Sequence, residues 1–156
     1  MAYDTRINIT AARNMLDEVA ALLDTGTGAI INIYDDTGTV PVDCTADNNT
    51  NVLLGTLLCT TPNTFTGAAA DAAPNATLTA DTITSDSDAD FGGTATYFRA
   101  YATTGTQTDA GKGSEPIVQG TVGTGGSFDM VLDNTTIVIN GTIACTSWVM
   151  TLPEGA

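Results

Sequence analysis

GGTATYFRAYATTG, residues 92–105, is bounded by glycines and filled with β-branched and aromatic residues. That composition reads as one β-strand. Side chains alternate across a strand, so Phe98, Ala100 and Ala102 share one face, and Tyr97, Arg99 and Tyr101 the other. The first face is narrow and apolar and suits a core. The second is a planar cation flanked by two phenols, in a chain with only 4 basic residues.

Reading outward, the same period recurs. AIINIYDD (29–36), NVLLGTLLCT (51–60), ATLTADTITS (76–85), PIVQGTV (116–122), SFDMVL (127–132), TIVI (136–139) and TIACTSWVMTL (142–152) complete eight expected strands, counting TATYFRAYAT (94–103). Between them lies turn chemistry: DDTGT, TADNNT, GTGG, LDNTT and ING. Asn140-Gly141 between two apolar runs is the strongest hairpin signal. One segment breaks the pattern. In TAARNMLDEVAALLDTG (10–26), Ala12, Met15, Leu16, Val19, Leu22 and Leu23 recur at helical spacing. Thr10 is its expected N-cap and Gly26 its stop. The expected fold is all-β: a two-sheet antiparallel sandwich, jelly-roll-like, with one N-terminal amphipathic α-helix. An immunoglobulin-like sandwich is the alternative. Residues 1–27 form the N-terminal segment and helix, and 28–156 the β-sandwich domain.

Composition agrees. The 156 residues make one domain able to bury about two-thirds of its unfolded surface. Threonine supplies about a fifth of the chain and suits strand faces that meet water. Hydrophobic residues reach 42%. The net charge of −14 would be repelled by phosphate backbones and anionic lipids, so neither nucleic acid nor a membrane is an expected partner. Residues 1–25 lack the basic start and apolar run of a secretory signal. Cys44, Cys59 and Cys145 are therefore expected as free thiols, with a Cys44–Cys59 pair the alternative.

Little here does chemistry. There is no histidine, which removes the commonest general base and metal ligand. The cysteines lack zinc spacing. GTVGTGGS (120–127) has no lysine after it and reads as a turned connection, not a phosphate loop. DSDADFGG (86–93) alternates acids like a calcium loop, but its glycine falls late and its twelfth position is Tyr97; a solvated acidic turn is expected. Trp148 is expected in the core. The Asn-x-Thr triplets follow from the abundance of Asn and Thr. No catalytic residue, metal or cofactor is expected, and a hydrolase using paired acids lacks aromatic sugar platforms.

What remains is binding. The helix cannot bury its stripe alone; it packs on its own sheet or on another subunit. Arg99 either pairs with an acid on a neighbouring strand, such as Asp129, or contacts a partner. The expected contact residues are Met15, Leu16, Val19, Leu22 and Leu23 on the helix, and Tyr97, Arg99 and Tyr101 on the strand. The loops 37–50 and 105–115, the latter carrying Lys112, are expected to be exposed.

The chain order is a helix ending in LLDTGTGAIINIYDD, then GTLLCTTPNTFTGAAA, TATYFRAY and QGTVGTGGSFDMVLDNTTIVINGTIACTSWVMTLP. It resembles the capsid cement or head decoration proteins of tailed bacteriophages. The most specific pieces are Tyr97-Phe98-Arg99 and the run Gly120-Thr121-Val122-Gly123-Thr124-Gly125-Gly126 before the last hairpin; TDAGKGSEP lengthens one loop relative to that pattern. The resemblance implies a jelly-roll structural protein of the virion, assembled in the host cytoplasm. It would sit on the capsid surface, bind the major capsid protein and itself as a dimer or trimer, and stabilise the shell without catalysis. A tail-fibre, spike or neck component that binds host receptors is the alternative. A pilin-like module would need an export signal.

Overall fold

The computed structural model describes residues 7–26, 28–46, 50–59, 64–65, 67–72, 75–103 and 116–153. The elements in chain order are α1 (Ile9–Leu23), β1 (Ala29–Tyr34), β2 (Leu53–Leu58), β3 (Ala70–Ala72), β4 (Asn75–Thr79), β5 (Gly93–Thr94), β6 (Tyr97–Ala102), β7 (Val118–Gly123), β8 (Met130–Leu132), β9 (Thr136–Ile137) and β10 (Cys145–Pro153). Among the described residues the protein is mostly β, with one helix. Eight strands form one sheet in the order β2-β1-β6-β7-β8-β10-β4-β3, while β5 and β9 pair separately.

The sheet is mixed, which corrects the expectation of purely antiparallel pairing. β7 and β8 run parallel through Val122↔Met130 and Gly123↔Val131. Only residues 124–129 separate them in sequence, although parallel neighbours ordinarily need a crossover of a dozen residues or more. A side chain makes the short link workable. Asp129 Oδ2 accepts from the Thr121 N–H at 2.8 Å and from its hydroxyl at 2.8 Å, standing in for the ladder bonds that β8 is too short to supply. Glycine completes it: a Cβ on Gly123 would fall 2.1 Å from the Phe128 ring.

The rings of Phe98 on β6 and Trp148 on β10 lie 5.3 Å apart, although β7 and β8 intervene in the sheet order. Three strand spacings would hold them about 14 Å apart in a flat sheet. The sheet therefore curls until its halves face each other. Leu54, Leu57, Ile31, Ile33, Phe98, Met130 and Trp148 fill the space between, and α1 adds Ala12, Leu16, Ala20 and Leu23 to the same core. Trp148 is 1% exposed, as a core residue should be.

The helix begins two residues earlier than its expected cap predicts. Asn8, not Thr10, caps it, accepting from the Ala11 N–H at 2.8 Å. It ends at Leu23, with Gly26 beyond at φ 102°. The Asn140-Gly141 turn forms, with Asn140 at φ 58° and the Gly141 N–H on the Val138 carbonyl. It does not close a hairpin. β9 turns to β5, and the chain after the turn bridges from Ile143 to Asp86. The 76–85 segment is strand only through Thr79; Thr84 then makes an isolated bridge to Leu58. β3 has no counterpart among the expected strands.

Candidate interaction sites

β6 is buried on both faces. In the β1–β6 register Ile31 pairs with Ala100 and Ile33 with Phe98, while Asn32 pairs with Arg99 and Tyr34 with Tyr97. The first set faces the core. The second forms a polar layer on the opposite side of the sheet. Tyr34 and Tyr97 stack at 5.1 Å, Asn51 Nδ2 donates to the Tyr97 hydroxyl at 2.9 Å, and Asn32 Nδ2 to the Tyr34 hydroxyl at 3.2 Å.

Arg99 is the anchor of this layer. Its Nε donates to Gln119 Oε1 at 2.9 Å, and its Nη2 to the carbonyls of Ala46 at 2.7 Å and Asp43 at 3.2 Å. Gln119 Nε2 in turn donates to the Pro41 carbonyl at 2.7 Å. The segment after β1 is thereby pinned over the sheet. Tyr97, Arg99 and Tyr101, expected as an exposed contact face, are 1%, 4% and 3% exposed. Alternation told two faces apart but not what covers the second. Asp129 does not pair with Arg99; it serves Thr121. Asp43, whose carbonyl Arg99 holds, has its carboxyl pKa lowered by the Thr45 hydroxyl, then by the N–H groups of Thr45 and Ala46, with a smaller contribution from Arg99.

The helix residues divide. Leu16 and Leu23 are in the core, whereas Met15 and Leu22 are 52% and 48% exposed, and Val19 is half-buried between them. Leu16 and Val19 also border a cleft of about 330 Å³. Its walls are Ile117, Val118 and Gln119 on one side and Val149, Met150 and Thr151 on the other; Phe98, Trp148 and Asp129 also line it, as does Cys44 from the segment that Arg99 holds. The Trp148 Nε1–H is buried and, among the described residues, has no acceptor.

A second surface lies at the small ribbon. Phe91, Val138 and Ile139 are 56%, 66% and 54% exposed. Gly92 packs against the backbone of 137–139, and the Asn140 N–H binds the Ala89 carbonyl, so these exposed side chains come from two segments whose backbones are held together. Sequence reasoning placed 136–139 in a strand and did not foresee this exposure; the strand covers only Thr136–Ile137 and pairs with residues more than 40 positions away.

The acids near these surfaces hold backbone. Asp86 Oδ2 accepts from the Thr56 N–H and Oδ1 from the Asp88 N–H, both at 2.9 Å. Asp35, buried, accepts from the Val52 N–H at 2.8 Å and the Thr37 hydroxyl at 2.6 Å. Among the described residues no group of three or more Cys, Asp or Glu is placed to hold a metal ion. No disulfide joins Cys44, Cys59 or Cys145, so Cys44 and Cys59 are not cross-linked. Burial raises the Cys59 pKa and pushes that of Cys145 up to about 11. Among the described residues no helix is long and apolar enough to cross a membrane. The 105–115 loop with Lys112 lies outside the described residues.

No family model matches this chain, and neither a curated protein nor a solved structure matches it.

Proposed function

We propose that this chain is a structural virion protein of a tailed bacteriophage: a cement or decoration protein on the outside of an icosahedral capsid. There it bridges neighbouring major capsid proteins and works without catalysis. In this reading the curled sheet is a jelly-roll-like sandwich, and the protein is made in the host cytoplasm and acts as a homo-oligomer. The observation that carries the proposal is the exposure of three large apolar side chains, Phe91, Val138 and Ile139, on two tied segments flanking the β5–β9 ribbon of a −14 protein. Exposed apolar groups gathered in one place mark interaction surfaces, and strong like charge keeps such a surface soluble before assembly. Repetition over a shell then turns modest contacts into firm retention. The Tyr97-Phe98-Arg99 and Gly120–Gly126 motifs add the resemblance.

The test is occupancy on purified expanded heads. Val138→Asp and Phe91→Asp should fold normally and lose binding. Wild-type protein that fails to bind heads, or a copy number per particle that matches the tail rather than the capsomers, would overturn the proposal; the second result would favour a receptor-binding fibre or spike.

A further inference from the structure

β8 lies between β7 and β10 and is hydrogen-bonded to both, but it is only three residues long. Its neighbours are longer. Toward the N-terminal end of β8, β7 continues through residues 118–121 and β10 through 149–153, and the two are not paired with each other. Two strands separated by a third stand about 9.5 Å apart. Beyond Asp129 the lane between them holds no strand among the described residues, and the cleft of about 330 Å³ occupies that position.

Both walls present backbone edges to this lane. The Val122 N–H goes to the Thr96 carbonyl on the β6 side, so by alternation Gln119 and Thr121 turn theirs toward the lane; the Thr121 N–H indeed meets Asp129. On β10, Trp148 pairs with Ala80 on the β4 side, while the Val149 N–H crosses to the Asp129 carbonyl. Thr151 therefore faces the lane as well. Next along that edge is Pro153, which has no N–H to leave unpaired. The inner surface is apolar, with Leu16, Val19, Phe98 and Trp148.

We infer that this lane binds an extended segment of a partner protein, which completes the sheet between β7 and β10 in line with β8. The segment has the chemistry of a strand with apolar residues facing Phe98 and Trp148 and Lys or Arg at its ends. Main-chain bonds to the edges of Gln119 and Thr151 supply affinity, and the apolar floor selects the inward side chains. The basic ends follow from the −14 charge and from Asp129 at the end of the lane. This goes beyond the capsid proposal and needs no capsid to test.

The probe is the peptide acetyl-KTVTVTK-amide, added to the full chain at low salt. Amide exchange at Gln119 and Thr151 should be fast in the free protein and slow with the peptide. The emission of Trp148, the only tryptophan, should shift with the same titration. Acetyl-ETVTVTE-amide should bind at least about tenfold more weakly, because its charges match those of the protein. Acetyl-KTVPVTK-amide should give no protection, since proline removes a ladder donor. Thr151→Pro, checked by circular dichroism for an intact fold, should lose binding; if it does not fold, the exchange data on the native chain decide. Slow exchange of both amides in the free, dilute protein, or no protection by millimolar KTVTVTK, overturns the inference. Protection that grows with protein concentration alone overturns it too, by assigning the lane to a second copy.

Discussion

Arg99 is where the chemistry of single residues decides most. Its guanidinium makes three hydrogen bonds, two of them to carbonyls of a segment more than 50 residues away. A charged donor bonded to neutral acceptors contributes about 1.5–3 kcal/mol in a buried site, and its removal also strips the acceptors of their partner. Arg99→Ala should therefore lower the unfolding free energy by about 2–4 kcal/mol, read from urea titration. Arg99→Lys should recover only part of the loss, because one ammonium cannot reproduce the planar fork. A change below about 0.5 kcal/mol would show that the covering segment does not depend on this anchor. The thiols give the second residue-scale expectation. The Cys145 thiol titrates near 11 when folded, against an ordinary value of 9.0. The folded state thus holds this proton more tightly than the unfolded chain. That stability is fully present below pH 9 and is lost as pH rises toward 11. The buried Cys59 shifts in the same direction. With no histidine in the chain, thermal midpoints should be flat from pH 6 to 8 and fall above 9. Replacing Cys145 and Cys59 together by alanine should flatten the alkaline fall; an unchanged fall would assign it to other groups.

At the scale of elements, the parallel junction of β7 and β8 depends on one carboxylate. Asp129→Ala leaves the Thr121 N–H and hydroxyl without their acceptor, and should cost about 1 kcal/mol at this exposed position. Asp129→Asn keeps an acceptor oxygen and should restore most of it. If Ala and Asn behave alike, the junction is held by the backbone pairs alone. The same junction shows what sequence reading reaches. Helix α1 and strands β1, β2, β4, β6, β7 and β10 were legible from local pattern, and the short β8 and β9 fall inside the expected strands at 127–132 and 136–139. The parallel pairing was not legible. It arises from a side chain replacing ladder bonds and from Gly123 yielding room to Phe128, neither of which leaves a periodic trace. Asn140-Gly141 specified its turn correctly, since Asn tolerates the φ of 58°. The strands on either side answered to distant partners instead. Of the candidate contact residues, alternation grouped Tyr97, Arg99 and Tyr101 correctly on one face; Arg99 is covered by the segment around Asp43 and Ala46, and Tyr97 by Tyr34 and Asn51, none of which leaves a periodic trace. Leu16 and Val19 were legible as an apolar stripe, but their position beside the cleft depends on the length of β8.

For the molecule as a whole, charge acts in two opposing ways that one variable separates. Eighteen acids face four bases. Self-repulsion among them works against the compact state, whereas attraction to a basic surface works for association. Raising ionic strength from about 0.01 M to about 0.15 M shortens the screening length from about 30 Å to about 8 Å and weakens both. The isolated protein should therefore become more stable, with a thermal midpoint that rises over this range and then levels off. Under the capsid proposal, binding to expanded heads should weaken over the same range, because long-range attraction would be screened while apolar contacts through Phe91, Val138 and Ile139 would persist. Calorimetry on the free protein and co-sedimentation with heads give the two readings independently. A midpoint that falls with salt would mean that favourable ion pairs outweigh repulsion in the folded chain. Occupancy that rises with salt would mean that charge opposes docking and the apolar patch alone drives it. Under the capsid proposal, opposite slopes in the two measurements are the expected outcome, because the same net charge of −14 that opposes compaction favours docking on a basic surface.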